Sequence, residues 1–341
     1  MHTTLSFVLL SAGLLAQGSY VFPSTHATIP NGSSYISNVP FSAGISRIQI
    51  VYEGWDMTLP VNTPITRIGF RQDSTQTSVS RILQLEVRMG QTSATATSLS
   101  TTFDNNYLGA PAIVYAQGLF TLPALSAATP NSIVWVNLTT PYVYTGGNLL
   151  VEFRVLGNNN ANAGFYYPLD LATYVSTVTP GVQGCLNSGG QRAVLTSNPT
   201  AIGSNWYLSL SSAPANGPIA IFVAANQQLS APYSLSIIGL DPSCQGQLPV
   251  GNLASFSGTT NSSGGTSWSV PVPYNLALNN AYMSSQVVAL DFFVPGSLVV
   301  SNADQIQFGV NPAESFLVSQ GSATSMTGSI YANYGIVTLF N

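Results

Sequence analysis

The feature that most constrains this chain is its punctuation. Short runs rich in Val, Ile, Tyr, Phe and Thr alternate with clusters of Gly, Pro and Asn, a spacing that leaves room for strands and little for long helices. Examples are 46–52 (SRIQIVY), 65–70 (ITRIGF), 82–89 (ILQLEVRM), 133–138 (IVWVNL) and 148–156 (NLLVEFRVL). In the last, Leu149, Val151, Phe153 and Val155 alternate with Leu150, Glu152, Arg154 and Leu156. One face is apolar and the other mixed, as a half-buried antiparallel strand requires. The expected class is all-β. Antiparallel strands at this spacing bury their apolar faces by packing two sheets together, so two antiparallel β-sandwich domains, jelly-roll-like or Ig-like, are expected in tandem.

With 341 residues, two domains can each bury a core. The expected division is an N-terminal jelly-roll-like sandwich over 19–204, a C-terminal sandwich over 205–310, and a tail over 311–341 that adds one or two strands. The boundary is set in the loop-rich stretch 181–204, which holds Gly189-Gly190 and Asn198-Pro199. Residues 1–18, with an apolar run from Leu5 to Leu15 and Ala16 and Gly18 at the small-residue positions, read as a secretory signal peptide cleaved before Ser19. No later stretch has the 18 or so apolar residues that span a bilayer. The expected location is extracellular or at the cell surface.

Two cysteines, Cys185 and Cys244, occur in this chain. For an oxidising compartment a disulfide is the economical reading, the alternative being two buried thiols. Charged residues make up only 5% of the chain, and all seven basic ones are arginines, the last at Arg192. No basic patch can be assembled for nucleic acid or for an anionic membrane surface. Low charge also weakens mutual repulsion, so association with itself or with a matrix is expected.

Several words in the sequence resemble two modules of secreted proteins from environmental bacteria, often of unassigned function. The first half is similar to a jelly-roll-like module through Ile65 to Asp73 (ITRIGFRQD), Leu99 to Asn106 (LSTTFDNN), Leu138 to Tyr144 (LTTPYVY) and Gly147 to Val151 (GNLLV). The second half resembles a small C-terminal β-sandwich through Ser212 to Asn216 (SAPAN), Val270 to Pro273 (VPVP), Gln286 to Asp291 (QVVALD) and Ser301 to Ala303 (SNA), closing at Gly309. The resemblance implies the two-sandwich fold and carries no activity.

Candidate site residues are few. After removal of the leader the only histidine is His26, so triads and zinc sites that need histidine lack their parts. Glu53 and Asp56, flanking Trp55, are the best pair for a carboxylate glycosidase, though alternation along an extended strand would put them on opposite faces. Asp104, Asn105 and Asn106, with Asp73, form an oxygen-rich set that suits calcium; the competing reading is a turn using its own local hydrogen bonds. No other cofactor is expected. Arg71 with Asp73 and Glu152 with Arg154 share strand faces and can pair. Tyr166, Tyr167 and Trp206, with Phe165 and Tyr207 beside them, offer stacking surfaces for a polysaccharide, against packing in a core. Asp291, in VALDFFVPGSLVV, is expected to accept hydrogen bonds from the Pro295-Gly296 turn, and Asn302 to take a left-handed conformation.

These features lead to an expectation of a secreted, non-enzymatic structural, surface or adhesive protein whose strand edges or tail pair with copies of itself or with other extracellular proteins. The alternatives are an extracellular carbohydrate-binding protein and, less well supported, a carboxylate glycoside hydrolase.

Overall fold

The computed structural model describes residues 19–29, 34–172, 176–251, 253–273 and 275–341. The leader expected at 1–18 lies outside them. Among the described residues 49% are in strands and no helix reaches seven residues, so the fold is all-β, built of antiparallel sheets. No helix among the described residues is long and apolar enough to cross a membrane.

The chain begins with β1 (Tyr20–Phe22), β2 (Ser34–Ile36), β3 (Ser46–Tyr52), β4 (Thr63–Arg71), β5 (Arg81–Thr92), β6 (Ala112–Leu122), β7 (Ile133–Tyr144), β8 (Asn148–Asn158) and β9 (Leu169–Ala172). There follow β10 (Thr177–Pro180), β11 (Val194–Ser197), β12 (Asn205–Ser211), β13 (Pro218–Ala224), β14 (Tyr233–Ser234), β15 (Gln245–Gly246), β16 (Leu253–Thr259), β17 (Thr266–Pro271), β18 (Tyr282–Leu290) and β19 (Leu298–Gln307). The last strands are β20 (Glu314–Gln320), β21 (Ser329–Tyr331), β22 (Gly335–Ile336) and β23 (Thr338–Phe340).

Two compact units result, and their division differs from the tandem expectation. The first unit comprises residues up to Thr173 together with Pro312–Asn341, and the second Tyr174–Asn311. The 311–341 segment is therefore no appendage to the second sandwich. Strand β20 pairs along its whole length with β3, and β23 lies between β1 and β4. The boundary also falls earlier than 204, because β10 pairs with β19 and β11 with β12. The loop-rich stretch 181–204 belongs to the second unit.

In the first unit the six-stranded sheet β21-β20-β3-β8-β5-β6 stands with a four-stranded sheet β1-β23-β4-β7 and a three-stranded one β2-β9-β22. Phe41, Ile48, Phe70, Val87, Phe153 and Phe316 are among the buried residues of its core. Strand β8 shows the expected alternation, with Leu149, Val151, Phe153 and Val155 all in this core. Its mixed face is covered too: Leu150 packs with Val51, Ala94 and Leu99, so the segment after β5 folds back over the outer face of the sheet.

The second unit has a five-stranded sheet β10-β19-β18-β13-β16 and a three-stranded sheet β11-β12-β17. Trp206, Leu208, Leu210, Ile219, Ile221, Val287 and Phe308 belong to its core. After β14 the Ser234 side chain accepts the Ser236 N–H to start a 3-10 turn over Leu235–Ile238. A serine offering that local bond diverts the backbone from a ladder.

Candidate functional site

On the outer face of the six-stranded sheet, alternation brings the charges of β3, β8 and β5 together. Arg47 lies opposite Arg154, and Gln49 opposite Glu152; Glu86 lies opposite Arg154 and Arg88 opposite Glu152. Glu152, fully buried, accepts from Arg47 at 3.0 Å, from Gln49 at 2.7 Å and from Arg154. The pairing of Glu152 with Arg154 is the one expected from their i, i+2 spacing. Arg47 also reaches Asp104 at 2.6 Å and lies over the Phe103 ring. This guanidinium holds the Asp104 carboxyl below its ordinary range.

In that geometry the oxygen-rich set makes hydrogen bonds within the fold, and Asp73 stands apart from Asp104 and its neighbours. Asp104 serves Arg47; Asn106 is buried, with its amide donating to Gln49 Oε1 and its oxygen accepting the Ser100 N–H at 2.7 Å. Asn105 is exposed, its N–H closing a turn on Thr102. Asp73 sits in a separate turn whose carbonyl accepts the Gln76 N–H, and burial raises its carboxyl. Arg71 pairs with Asp170, not with Asp73. Among the described residues no group of three or more His, Cys, Asp or Glu is arranged to hold a metal ion.

Glu53 and Asp56 are likewise occupied. Glu53 accepts the Ala96 N–H and the Trp55 indole N–H, tying down the same covering segment. Asp56 accepts the Ser24 N–H at 3.0 Å and the Ser24 hydroxyl. Burial raises the Asp56 carboxyl, with the Glu53 charge adding to it. A further acid, Glu314, lies wholly buried at the start of β20, opposite Tyr52 of β3; burial pushes it well up, although it accepts the Ile336 N–H at 3.0 Å. A Cβ at position 335 would collide with its carboxyl, which explains Gly335.

The aromatic set divides. Trp206 and Tyr167 have no face free: Trp206 is fully buried edge-on to Phe308, and the Tyr167 hydroxyl donates to the Pro123 carbonyl at 2.8 Å. Alternation along β12 points Trp206 inward and Tyr207 outward, so the polysaccharide platform expected on Tyr167 and Trp206 is corrected to core packing. Tyr166 is exposed, standing edge-on to Tyr35 with its hydroxyl donating to Gln76 at 2.9 Å.

Cys185 and Cys244 form a disulfide within the second unit. Asp291 is structural, but through other partners than expected. Its carboxylate accepts the Ser188 N–H at 2.8 Å and the Phe293 N–H at 3.2 Å, and against the upward push of burial these donors hold its pKa down. The left-handed positions of the turn are Gly296 and Ser297. Asn302 lies inside β19, correcting the left-handed expectation. Beside Asp291 opens a concavity of about 530 Å³ lined by Asn187, Gln191, Asn216 and Ser263, with Phe292 and Phe293 on its wall. Those two rings are 73% and 88% exposed.

A long and weakly protected element is the edge strand β16. It closes one side of the five-stranded sheet and pairs only with β13. Six of its seven residues are exposed and the other is half-buried. Phe256 lies opposite Ile221, a core residue, yet is 45% exposed. No charged residue occurs between Asp241 and Asp291. Edge strands are ordinarily blunted by a lysine, a proline, a bulge or a cover, and among the described residues β16 has none of them. The run LASFSGT carries period-2 alternation, but small residues at Ala254 and Gly258 mute the apolar face.

No family model matches the chain, and no curated protein matches it.

Proposed function

We propose that this protein is a secreted, non-enzymatic structural or adhesive component that assembles outside the cell by strand pairing. The observation that carries the reading is β16: a seven-residue edge with unpaired backbone groups, no charge and a half-covered phenylalanine. Strand addition to such an edge draws affinity from main-chain hydrogen bonds and selectivity from alternate side chains. The disulfide and the apolar leader support export, and the engagement of Glu152, Asp104, Glu53, Asp56 and Asp291 in holding the fold supports a passive role. Sedimentation of the chain over a range of concentrations tests it. A concentration-dependent shift to larger species is expected, and a strict monomer at high concentration contradicts it.

A second reading, binding of a neutral saccharide, is favoured by the concavity beside Asp291, where two exposed phenylalanine rings meet neutral amide and hydroxyl groups. Rings with free faces suit sugar stacking. A polysaccharide array probed with the chain and with a Phe292→Ala, Phe293→Ala variant tests it: glycan binding lost in the variant supports it, and absent or unchanged binding dismisses it.

A further inference from the structure

The edge of β16 has a hydrogen-bonding phase, and the phase can be read. Thr260 N–H donates to the Gly217 carbonyl at 3.0 Å, and Gly217 N–H donates back to the Thr260 hydroxyl. In an antiparallel ladder, bonded and non-bonded pairs alternate. With Gly217 and Thr260 bonded, the backbone groups of Gly258, Phe256 and Ala254 turn toward β13, in register with Ile219, Ile221 and Val223. Those of Leu253, Ser255, Ser257 and Thr259 turn outward. Pro218, which has no N–H, falls opposite Thr259, at one of the non-bonded pairs.

Resting on the assembly reading above, we propose that the partner is a second copy of this chain, with β16 paired antiparallel to itself across a two-fold axis at Phe256. In that register Ser255 faces Ser257 of the other copy, Leu253 faces Thr259, Ala254 faces Gly258, and Phe256 faces its own equivalent. Every outward-turned N–H and C=O then meets an outward-turned group of the partner. An axis lying between two residues would set outward groups against groups already bonded to β13, and an axis at Ser255 or Ser257 would leave Phe256 facing Ala254 or Gly258 instead of its own equivalent.

The side chains are self-complementary about the same point. Ala-Ser-Phe-Ser-Gly reads almost alike in both directions, as an isologous interface demands. The on-axis pair is of the non-hydrogen-bonded kind, in which side chains approach closest, so the two rings meet between small neighbours. Phe256 points to the core side of the sheet, and its present exposure of 45% is what a second sheet would cover. Near a two-fold axis any charge meets its own copy and is repelled; this strand has no charge to repel. The two five-stranded sheets would run on as one.

Cysteine cross-linking of the full chain tests the register. Phe256→Cys should give a disulfide-linked dimer on oxidation, because the two positions coincide on the axis. Ser255→Cys mixed with Ser257→Cys should cross-link in the mixture well above either variant alone. A Ser257→Pro variant removes an outward N–H and leaves the β13 ladder intact, so it should weaken association by roughly tenfold or more. Circular dichroism and the thermal midpoint show whether that variant is folded. Self-association with no cross-link at 256, with equal cross-linking in the single variants, or with full strength in folded Ser257→Pro would overturn this interface and leave assembly by another surface standing. A strict monomer would overturn both.

Discussion

The side-chain amide of Asn302 takes the place of a strand partner for Leu195. Its Oδ1 accepts the Leu195 N–H at 2.8 Å and its Nδ2 donates to the Leu195 carbonyl at 2.8 Å. Leu195 is in β11, at the margin of the three-stranded sheet, and Asn302 is in β19 of the five-stranded sheet. One residue thus joins the two sheets at the margin away from β16 and β17. That seam is closed and buried, whereas the margin formed by β16 is open, which directs attention to β16 as the surface for pairing.

Asn302→Ala leaves both the N–H and the C=O of a buried leucine without partners. The loss is expected to cost about 2 to 4 kcal/mol, read as a lower urea midpoint for the second unit with its m-value unchanged. Asn302→Asp, which keeps the acceptor and loses the donor, should also destabilise the unit. A midpoint unchanged in both variants would contradict the partner role.

Replacing Cys185 and Cys244 by Ala opens a loop with a sequence separation of 59. On chain-entropy grounds the unfolded state gains about 4 kcal/mol of freedom. Calorimetry should show the transition of the second unit falling and that of the first unit unmoved.

Glu152→Gln removes the buried charge shared by Arg47 and Arg154. Breaking a buried pair in this way costs about 3 to 5 kcal/mol. Because Arg47 also holds Asp104, and Gln49 holds Asn106, the segment over the outer face should loosen with it. Limited proteolysis is expected to cut between residues 93 and 110 in the variant and to spare the parent chain.

Asp304, buried in β19, is pushed up to about 6 by burial, with hydrogen bonding from Ser197 offsetting only part of it. A folded carboxyl that titrates above its unfolded value of 3.8 stabilises fully below that value, and its contribution is lost as pH rises through about 6. The second unit should therefore lose about 2 kcal/mol from this group between pH 4 and pH 7, allowing for partial solvation. Asp304→Asn should flatten that slope and raise stability at pH 7, as followed by urea titration at several pH values. A steeper slope in the variant would contradict the assignment.

Local signals in the chain carried far. The alternation of Leu149, Val151, Phe153 and Val155 revealed which face of β8 is core, and the two cysteines revealed the disulfide. What stayed hidden was non-local. Nothing near residue 316 announces that Phe316 pairs with Ile50, so local signals make a tail of strands that complete the first unit. Trp206 and Tyr207 are adjacent and equally aromatic, and only the phase of β12 decides that one is core and the other surface. Local rules for asparagine concern its own loop, whereas the partner of Asn302 lies 107 residues away. The candidate edge escaped because half its alternation is spelled in small residues.

Amide hydrogen exchange across β16, followed residue by residue at low and high protein concentration, tests strand pairing most directly. At low concentration the Ala254, Phe256 and Gly258 amides, bonded to β13, should be protected while those of Ser255 and Ser257 exchange freely. At high concentration Ser255 and Ser257 should become protected as well. Free exchange of Ser255 and Ser257 at every concentration would contradict the account.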